Sequence, residues 1–353
     1  MLEITRLGPV TSLDGPDAAP HRGVLDVDQA HNIDLYGDDD NALLAADVIK
    51  SLTPNPDSAT AWAVASVDDE VVGFASLTTP LQDNLSLAEI SVVVHPAHRR
   101  QGIGTQLLGW VDDHARQCGR TTLQTWTSAT PPVDGTPTVQ APTGDVFPAS
   151  PGYLFADANG FTLEQVERTS LLHLPMDVTA LRDDAQAHAT GYALHTWLGI
   201  PPDEWLDGFA ALRAQFSIDA PFAGLDFEKT IWDEDRIRRD FERNDASGYQ
   251  QLTVAAEHIA SGRLVAYTEV YWHATHPDCL FQGCTLVLDG HRGHRLGMLL
   301  KTTLMDALPA HNAAADRIYT DNAGENAWML AINQTLGYQP HSLEGAVQKK
   351  LTA

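Results

Sequence analysis

The sequence predicts an α/β protein built from two copies of one fold. Three repeated features carry the prediction. Each half holds a strand-like run, a short polar loop and a glycine-marked helix start. Each half also has a helix-like stretch that closes on glycine plus an aromatic, Asn159-Gly160-Phe161 and Leu336-Gly337-Tyr338. A glycine just past a helix is the expected left-handed cap. Finally, each half opens with a hairpin pattern.

In the first half, Trp62 to Val67 and Val71 to Leu77 flank Asp68-Asp69-Glu70, a hairpin. Leu87 to Val94 is dense in Ile and Val and reads as the next strand. The loop His95-Pro96-Ala97-His98-Arg99-Arg100-Gln101 follows, then Gly102-Ile103-Gly104-Thr105 opens a helix. Leu107, Leu108 and Val111 share one face of that helix. A last strand lies around Leu163 to Leu174. In the second half, Leu252 to Glu257 and Leu264 to Val270 flank Ser261-Gly262. Leu280 to Leu288 is the next strand. Asp289-Gly290-His291-Arg292-Gly293-His294 forms the loop, and Arg295-Leu296-Gly297-Met298 opens a helix with Leu299, Leu300 and Leu304 on one face. A strand around Gly345 to Leu351 closes the copy. The order strand, strand, strand, helix, strand, helix, strand thus occurs twice, a duplication with a period too long for a solenoid. The join lies near Pro175 to Ala187, which predicts domains over 1–176 and 187–353. The interval from Gly104 to Gly160 exceeds that from Gly297 to Gly337. The excess is Thr127 to Pro151, rich in Pro, Thr, Gly and Ser, a surface insertion or a loop folded over a site. Trp197, Trp205, Phe209 and Phe216 are spaced for a helix face and read as core.

Composition narrows the function. The chain has 353 residues, 43% of them hydrophobic, enough for a core in each half and too many for a fully disordered chain. Its net charge of −25 opposes phosphate backbones and anionic lipid, so neither nucleic acid nor membrane is expected as a partner. A cationic substrate is electrostatically favoured. The three cysteines, Cys118, Cys279 and Cys284, are too few and too scattered for a disulfide framework, so a cytoplasmic protein is expected. Cys279 and Cys284 lack the second pair that zinc would need, and no metal is expected. The start Met-Leu-Glu-Ile-Thr-Arg lacks the basic and apolar regions of a signal peptide. No apolar stretch nears the roughly 18–20 residues of a membrane span. The acidic run Asp38-Asp39-Asp40 reads as helix capping and solvation before a helix from Asn41. The pairs His95/His98 and His291/His294 read as surface histidines, because they fall out of register between the halves.

The chemistry sits at the strand–loop–helix junction. A helix start offers unsatisfied N–H groups and a partial positive charge. In Arg99-x-x-Gly102-x-Gly104 the glycines let an anion approach those groups, and Arg99 and Arg100 add cationic donors. The ligand so described is a phosphate or pyrophosphate. The Walker pattern is missing, and the Rossmann spacing fails, with Gln124 where an acidic residue belongs.

Val94 to Gly104 resembles the acetyl-CoA pyrophosphate loop of the GNAT N-acetyltransferase superfamily, whose Gln/Arg-x-x-Gly-x-Gly/Ala motif it matches in full. Val287 to Gly297 resembles it less closely, because Arg295 stands where the first glycine belongs. Either that loop shifts, or Arg295 itself meets the phosphates. Asn322-Ala323-Gly324-Glu325-Asn326 with Leu336-Gly337-Tyr338 resembles the family's second conserved helix. The likeness covers nearly the whole chain as two tandem domains, as in mycothiol synthase and several actinobacterial acetyltransferases. It implies in each domain a mixed, mostly antiparallel sheet flanked by helices, in which the third and fourth strands pair with a fifth that splays away.

The resemblance implies acetyl-CoA as the cofactor. In the first half it would meet Val92, Val93, Val94, Arg99, Arg100, Gln101, Gly102, Ile103, Gly104 and Thr105. In the second half it would meet Thr285, Leu286, Val287, Arg292, Gly293, His294, Arg295, Leu296, Gly297, Met298, Asn322 and Asn326. The expected reaction is acetyl transfer to a primary amine of a small molecule or peptide, by a monomer or homodimer. Such a reaction needs a base, and Glu89 sits where the family often keeps a glutamate. Alternation sets Glu89 and Ser91 on one strand face, Ile90 and Val92 on the other. The matching Gln282 cannot be a base, and Cys284, on the same face, reads as packing. The family's tyrosine acid is replaced by Ala156 and Asn333, which leaves Tyr153 as substitute. Catalysis is therefore expected in the N-terminal half. The alternatives are catalysis in the C-terminal half, as in mycothiol synthase, and a non-catalytic CoA-binding or assembly module.

Overall fold

A computed structural model describes residues 1–352. It divides into two compact units. Unit 1 is Met1–Glu167 with Phe222–Phe227 and Ser342–Ala353, and unit 2 is Arg168–Pro221 with Glu228–His341. The units are therefore not the two uninterrupted stretches, 1–176 and 187–353, into which the repeat divides the sequence.

The chain begins with β1 (Leu2–Arg6), α1 (Ala19–Tyr36), α2 (Ala45–Leu52), β2 (Ser58–Val67), β3 (Glu70–Pro80) and β4 (Leu87–Val94). Next come α3 (Ile103–Gln117), β5 (Thr122–Ala129), β6 (Thr138–Gln140), β7 (Val146–Pro148), α4 (Pro151–Ala158) and β8 (Thr162–His173). The rest of the chain gives α5 (Thr179–His188), β9 (Tyr192–Leu198), α6 (Leu206–Asp219), α7 (Glu234–Ala246), β10 (Tyr249–His258), β11 (Arg263–His273) and β12 (His276–Val287). It ends with α8 (Leu296–His311), β13 (Arg317–Ala323), α9 (Ala327–Thr335) and β14 (Gln339–Lys350).

In unit 1 the strand order is β1-β2-β3-β4-β5-β14-β8. The expected hairpin turns on Asp68 and Asp69, whose φ of 50° and 67° give the two-residue turn that matches strand twist. β1 to β4 run antiparallel to their neighbours, β4 and β5 run parallel, and β5 and β14 run antiparallel. The mixed, mostly antiparallel sheet is thus as expected, but the strand beside β5 comes from the far end of the chain. Gly345 sets its register opposite Thr127. A Cβ there would lie 3.1 Å from Leu163 and Phe147. Val347 is fully buried, and on the other face Gln124 donates to Gln348 at 2.8 Å.

Helices cover both faces. On one, the stripe Ile103, Leu107, Leu108, Val111 and Ala115 of α3 packs on Ile90, Leu123 and Val347. On the other, Val24 and Val27 of α1 and Val48 of α2 pack on Trp62, Val64 and Phe74, with Val93 beside them. α2 starts at Ala45, where Asp47 accepts from the Leu44 N–H, so Asp38 to Asp40 do not cap it. The insertion after Thr127 is only partly surface. β5 runs on to Ala129, β6 and β7 form a small hairpin, and Phe147 is fully buried in the core.

Unit 2 repeats the plan, with β13-β12-β11-β10-β9 in order, β12 and β13 parallel and the rest antiparallel. α8 packs one face, through Leu299, Leu300 and Leu304. α6 and α7 pack the other, with Phe209 edge-on to Trp197 and Tyr267. Trp197 lies on β9 rather than on the helix its spacing suggested, but it is core as expected.

Candidate active site

In unit 1, β4 and β5 pair only at Leu87–Thr122, Ala88–Leu123 and Glu89–Gln124. Beyond Glu89 they splay. β4 stays bonded to β3 as far as Val94, so its backbone from Ile90 onward has one edge without a strand partner. That edge faces a cleft of about 650 Å3. Extended backbone with unused N–H and C=O groups suits an amide-bearing ligand lying alongside it.

The loop after β4 closes one end of the cleft. The Arg99 Nε donates to the Val94 carbonyl at 3.2 Å, folding the loop back on its strand. Arg100 and Gly102 both take left-handed backbone, φ 63° and 80°, and a side chain at Gly102 would be strained there. No side chain caps the N-terminus of α3. Gly104 lets the first turn approach α4, where a Cβ would lie 3.3 Å from the Phe155 ring. Val92, Val93, Val94, Arg99, Arg100, Gly102, Ile103, Gly104 and Thr105 all line the cleft, whereas Gln101 does not.

The guanidinium of Arg99 is held from α1. It donates to Asp34 Oδ2 at 2.7 Å and to His31 Nδ1 at 3.0 Å. A guanidinium only donates, so Nδ1 accepts and the His31 proton sits on Nε2. Burial and the neighbouring Arg99 hold His31 below its ordinary pKa, which keeps the ring neutral in this role. His31, Asp34 and Leu35 wall the cleft on this side, and Trp126 and Ser128 of β5 wall it opposite β4. No motif marked these residues. Trp126 and Ser128 were legible only as alternate positions of β5, and part of that strand lay in the segment read as insertion.

Glu89 stands at the apex, where the two strands part. It is not a wall of the cleft. It lies on the face of Ser91 and Val93, toward α1 and α2. Among the described residues its carboxylate has no hydrogen-bond or ion-pair partner. Solvent reaches the side chain, but surrounding protein displaces enough water to hold its pKa above the ordinary carboxylate value. Tyr153, the expected acid, is turned away. Ser150, Pro151, Gly152, Phe155 and Ala156 line the cleft, but helical phase places Tyr153 on another side of α4, where its ring meets Phe147 at 6.2 Å. Ala156 occupies the family's tyrosine position and offers no proton.

Unit 2 keeps the loop and has Gln282 where unit 1 has Glu89. β12 and β13 part after Gln282–Thr320. The Arg292 Nε donates to the Val287 carbonyl at 3.2 Å, as its counterpart does in unit 1. Gly293 and Arg295 take left-handed backbone, φ 85° and 56°. The loop thus does not shift to accommodate Arg295, which accepts the glycine conformation and pairs with Asp184. Thr285 bonds Thr268 at 2.7 Å, while Leu286, Leu296 and Gly297 are buried. Met298 is half-buried against the core of α8. A Cβ at Gly297 would lie 3.1 Å from Ile332 of α9. Asn326 caps α9, accepting from the Met329 N–H at 3.2 Å. The His294 ring lies tilted against Tyr192, 5.4 Å between ring centres.

At the apex of unit 2, Gln282 is buried and donates to Thr268 and to the Glu269 carbonyl. The nearby carboxylate of Glu269 accepts from Arg213 at 3.0 Å and Gln251 at 2.8 Å. The Cys284 thiol is pushed up to about 12 by burial and Glu269, so it stays protonated and packs, as expected. Asn333, at the tyrosine position, accepts from the buried amine of Lys301 at 2.9 Å and donates to Asn322.

A splayed parallel pair, a glycine-marked loop and an uncapped helix follow one another at the unit 1 cleft. Residues 27–132 match the family model described as Acetyltransferase (GNAT) family. The whole chain is similar to a tandem GNAT protein from the clavulanic acid biosynthesis pathway. The identity is 25%, the coverage 100% of this chain and 99% of that one, and the TM-score 0.76. It is also similar in fold to a GCN5-related N-acetyltransferase from Sphaerobacter thermophilus, at 16% identity, covering 99% and 96% of the two chains, TM-score 0.62. No curated protein matches the sequence. Residues 27–132 thus match a GNAT domain, and the whole chain has the fold of a tandem GNAT protein.

Proposed function

We propose that unit 1 transfers the acetyl group of acetyl-CoA to a primary amine, with Glu89 as general base. The observation that carries this reading is the partnerless carboxylate of Glu89 at the apex of the splayed strands. The cleft fits the acyl donor. Arg99, Arg100 and the uncapped N–H groups of α3 suit a pyrophosphate, and the open edge of β4 at Val92 to Val94 suits the amides of the pantetheine arm. The same edge can polarise the thioester carbonyl.

Glu89 takes a proton from the alkylammonium, directly or through water. The neutral nitrogen attacks the carbonyl carbon, its bond forms as the carbon–sulfur bond breaks, the electron pair leaves on sulfur, and the nitrogen's second proton passes to the departing thiolate or to water. Alkyl thiols have a pKa near ~8.5, so the thiolate can depart without a side-chain acid. This agrees with Ala156 at the tyrosine position and Tyr153 turned aside. Unit 2 is assigned CoA binding without turnover by this route. Its loop repeats the conformation of the first, and Glu269, the carboxylate beside its apex, is engaged by Arg213.

The test measures CoA release from acetyl-CoA with a panel of amines, for wild type, Gly102→Glu and Gly297→Glu. Gly102→Glu sets a strained, anionic side chain against the phosphates and should reduce kcat/KM at least tenfold. Intact turnover in Gly102→Glu with loss in Gly297→Glu would move catalysis to unit 2. Calorimetric binding of acetyl-CoA without turnover of any amine would support the binding-module reading instead.

A further inference from the structure

The two loops repeat one backbone but spend their charge differently. Each holds two left-handed residues, Arg100 and Gly102 in unit 1, Gly293 and Arg295 in unit 2. Arg100 lines its cleft and has no hydrogen-bond or ion-pair partner among the described residues. In unit 2 both loop arginines are engaged. Arg292 lies 3.4 Å from Asp219 and 3.3 Å from Asp289, and Arg295 pairs with Asp184. A guanidinium already paired with a carboxylate attracts a phosphate less, so a CoA in unit 2 needs a hold of another kind.

The helix after the splayed strand supplies one. A Cβ at Gly104 would meet Phe155 of α4, and one at Gly297 would meet Ile332 of α9, so Phe155 and Ile332 are counterparts. About one helical turn earlier stand Pro151 in unit 1 and Trp328 in unit 2. Pro151 and Phe155 both line the unit 1 cleft, so residues at this phase of the helix face the ligand side. Trp328 is 87% exposed, and its indole has no ring or hydrogen-bond partner among the described residues. α8 and α9 both begin beyond the carboxyl ends of the parallel strands β12 and β13. Ile332 is level with the first turn of α8, so Trp328, about 6 Å nearer the start of α9, stands outside the N-terminus of α8. The phosphates of a CoA would lie at that N-terminus, with its pantetheine running back along β12 and its adenosine outward. A large exposed π face at the outer side suits a purine. We propose that Trp328 stacks on the adenine ring of CoA and makes unit 2 a base-reading site. This rests on the reading that unit 2 binds CoA.

The experiment reads unit 2 alone, in the full chain carrying Gly102→Glu to block the first loop. Calorimetry compares CoA with 4′-phosphopantetheine, which lacks the nucleotide, before and after Trp328→Phe or Trp328→Ala is added. Trp328→Ala should weaken CoA about tenfold and Trp328→Phe less than about threefold, and neither should change phosphopantetheine binding. CoA, but not phosphopantetheine, should quench tryptophan emission. That quench should vanish in Trp328→Phe although CoA still binds. Unchanged CoA affinity in Trp328→Ala, or equal losses on both ligands, overturns the proposal while CoA binding by unit 2 stands. CoA binding that is absent from Gly102→Glu, or that survives in it after Gly297→Glu is added, refutes CoA binding by unit 2 and the proposal with it.

Discussion

Replacing Glu89 by glutamine separates chemistry from folding. Among the described residues the carboxylate has no partner to lose, glutamine has nearly the same shape, and the backbone pairing of Glu89 with Thr78 and Gln124 is untouched. The acceptor supplies the magnitude. An alkylamine of pKa ~10 is about 0.1% neutral at pH 7, a deficit of about 4 kcal/mol. A positioned base typically contributes about a hundred- to ten-thousandfold. Glu89→Gln should therefore cost at least about a hundredfold in kcat/KM at pH 7, and less as the pH nears that of the free amine. Surrounding protein raises the Glu89 pKa. A raised carboxylate regains its proton earlier as pH falls, so the acid limb of the wild-type profile should lie above the ordinary carboxylate range. The variant should lack that limb. Its stability should not suffer, because a raised carboxylate favours folding only at low pH and that contribution fades as pH rises through the raised value. The assay follows CoA release from pH 5 to 9 at saturating acetyl-CoA. A loss under threefold, or an unchanged acid limb, would refute Glu89 as the base.

Two predictions concern the frame. Gly345→Val places carbons against Leu163 and Phe147, where even a Cβ would lie at 3.1 Å, and overpacking of this kind costs about 1–3 kcal/mol. Urea denaturation should show that loss if β14 belongs to the core of unit 1, and no loss if it does not. Lys301 is fully buried and pushed down to about 7. The unfolded chain then binds the extra proton between about pH 7 and the ordinary lysine value, so this group makes stability rise with pH over that window. Lys301→Met should flatten the change in urea midpoint between pH 7 and pH 9, and an unchanged slope would count against a neutral buried amine.

The sequence showed most clearly what backbone chemistry dictates. Gly102 announces a strand-to-helix turn because few residues tolerate the conformation found there, Gly104 leaves room for the Phe155 ring, and Asp68-Asp69 announces a hairpin by its left-handed backbone. The splay of β4 from β5 was implied by resemblance and is observed. What lay hidden depends on tertiary partners. The alternation of β14 says that it is a strand, not which edge it joins. His31 and Asp34 carry no local signal because their role is to hold Arg99, distant in sequence. The direction of the Tyr153 ring, which meets Phe147, was not legible because proximity along a helix is not proximity in space. Arg295 keeps the backbone conformation of Gly102 without being glycine, and its side chain pairs with Asp184.

Unit 1 contains residues from both ends of the described chain. β14 follows every other element in sequence, yet it pairs with β5 of the first repeat. During synthesis the edge of β5 must wait until nearly all of the described chain has left the ribosome. A fragment ending at residue 176 would hold the loop, the cleft walls and Glu89, but it would expose an unpaired strand edge, which invites aggregation. The duplication can therefore no longer be undone by cutting the chain at its join, because the first repeat depends on the last strand of the second.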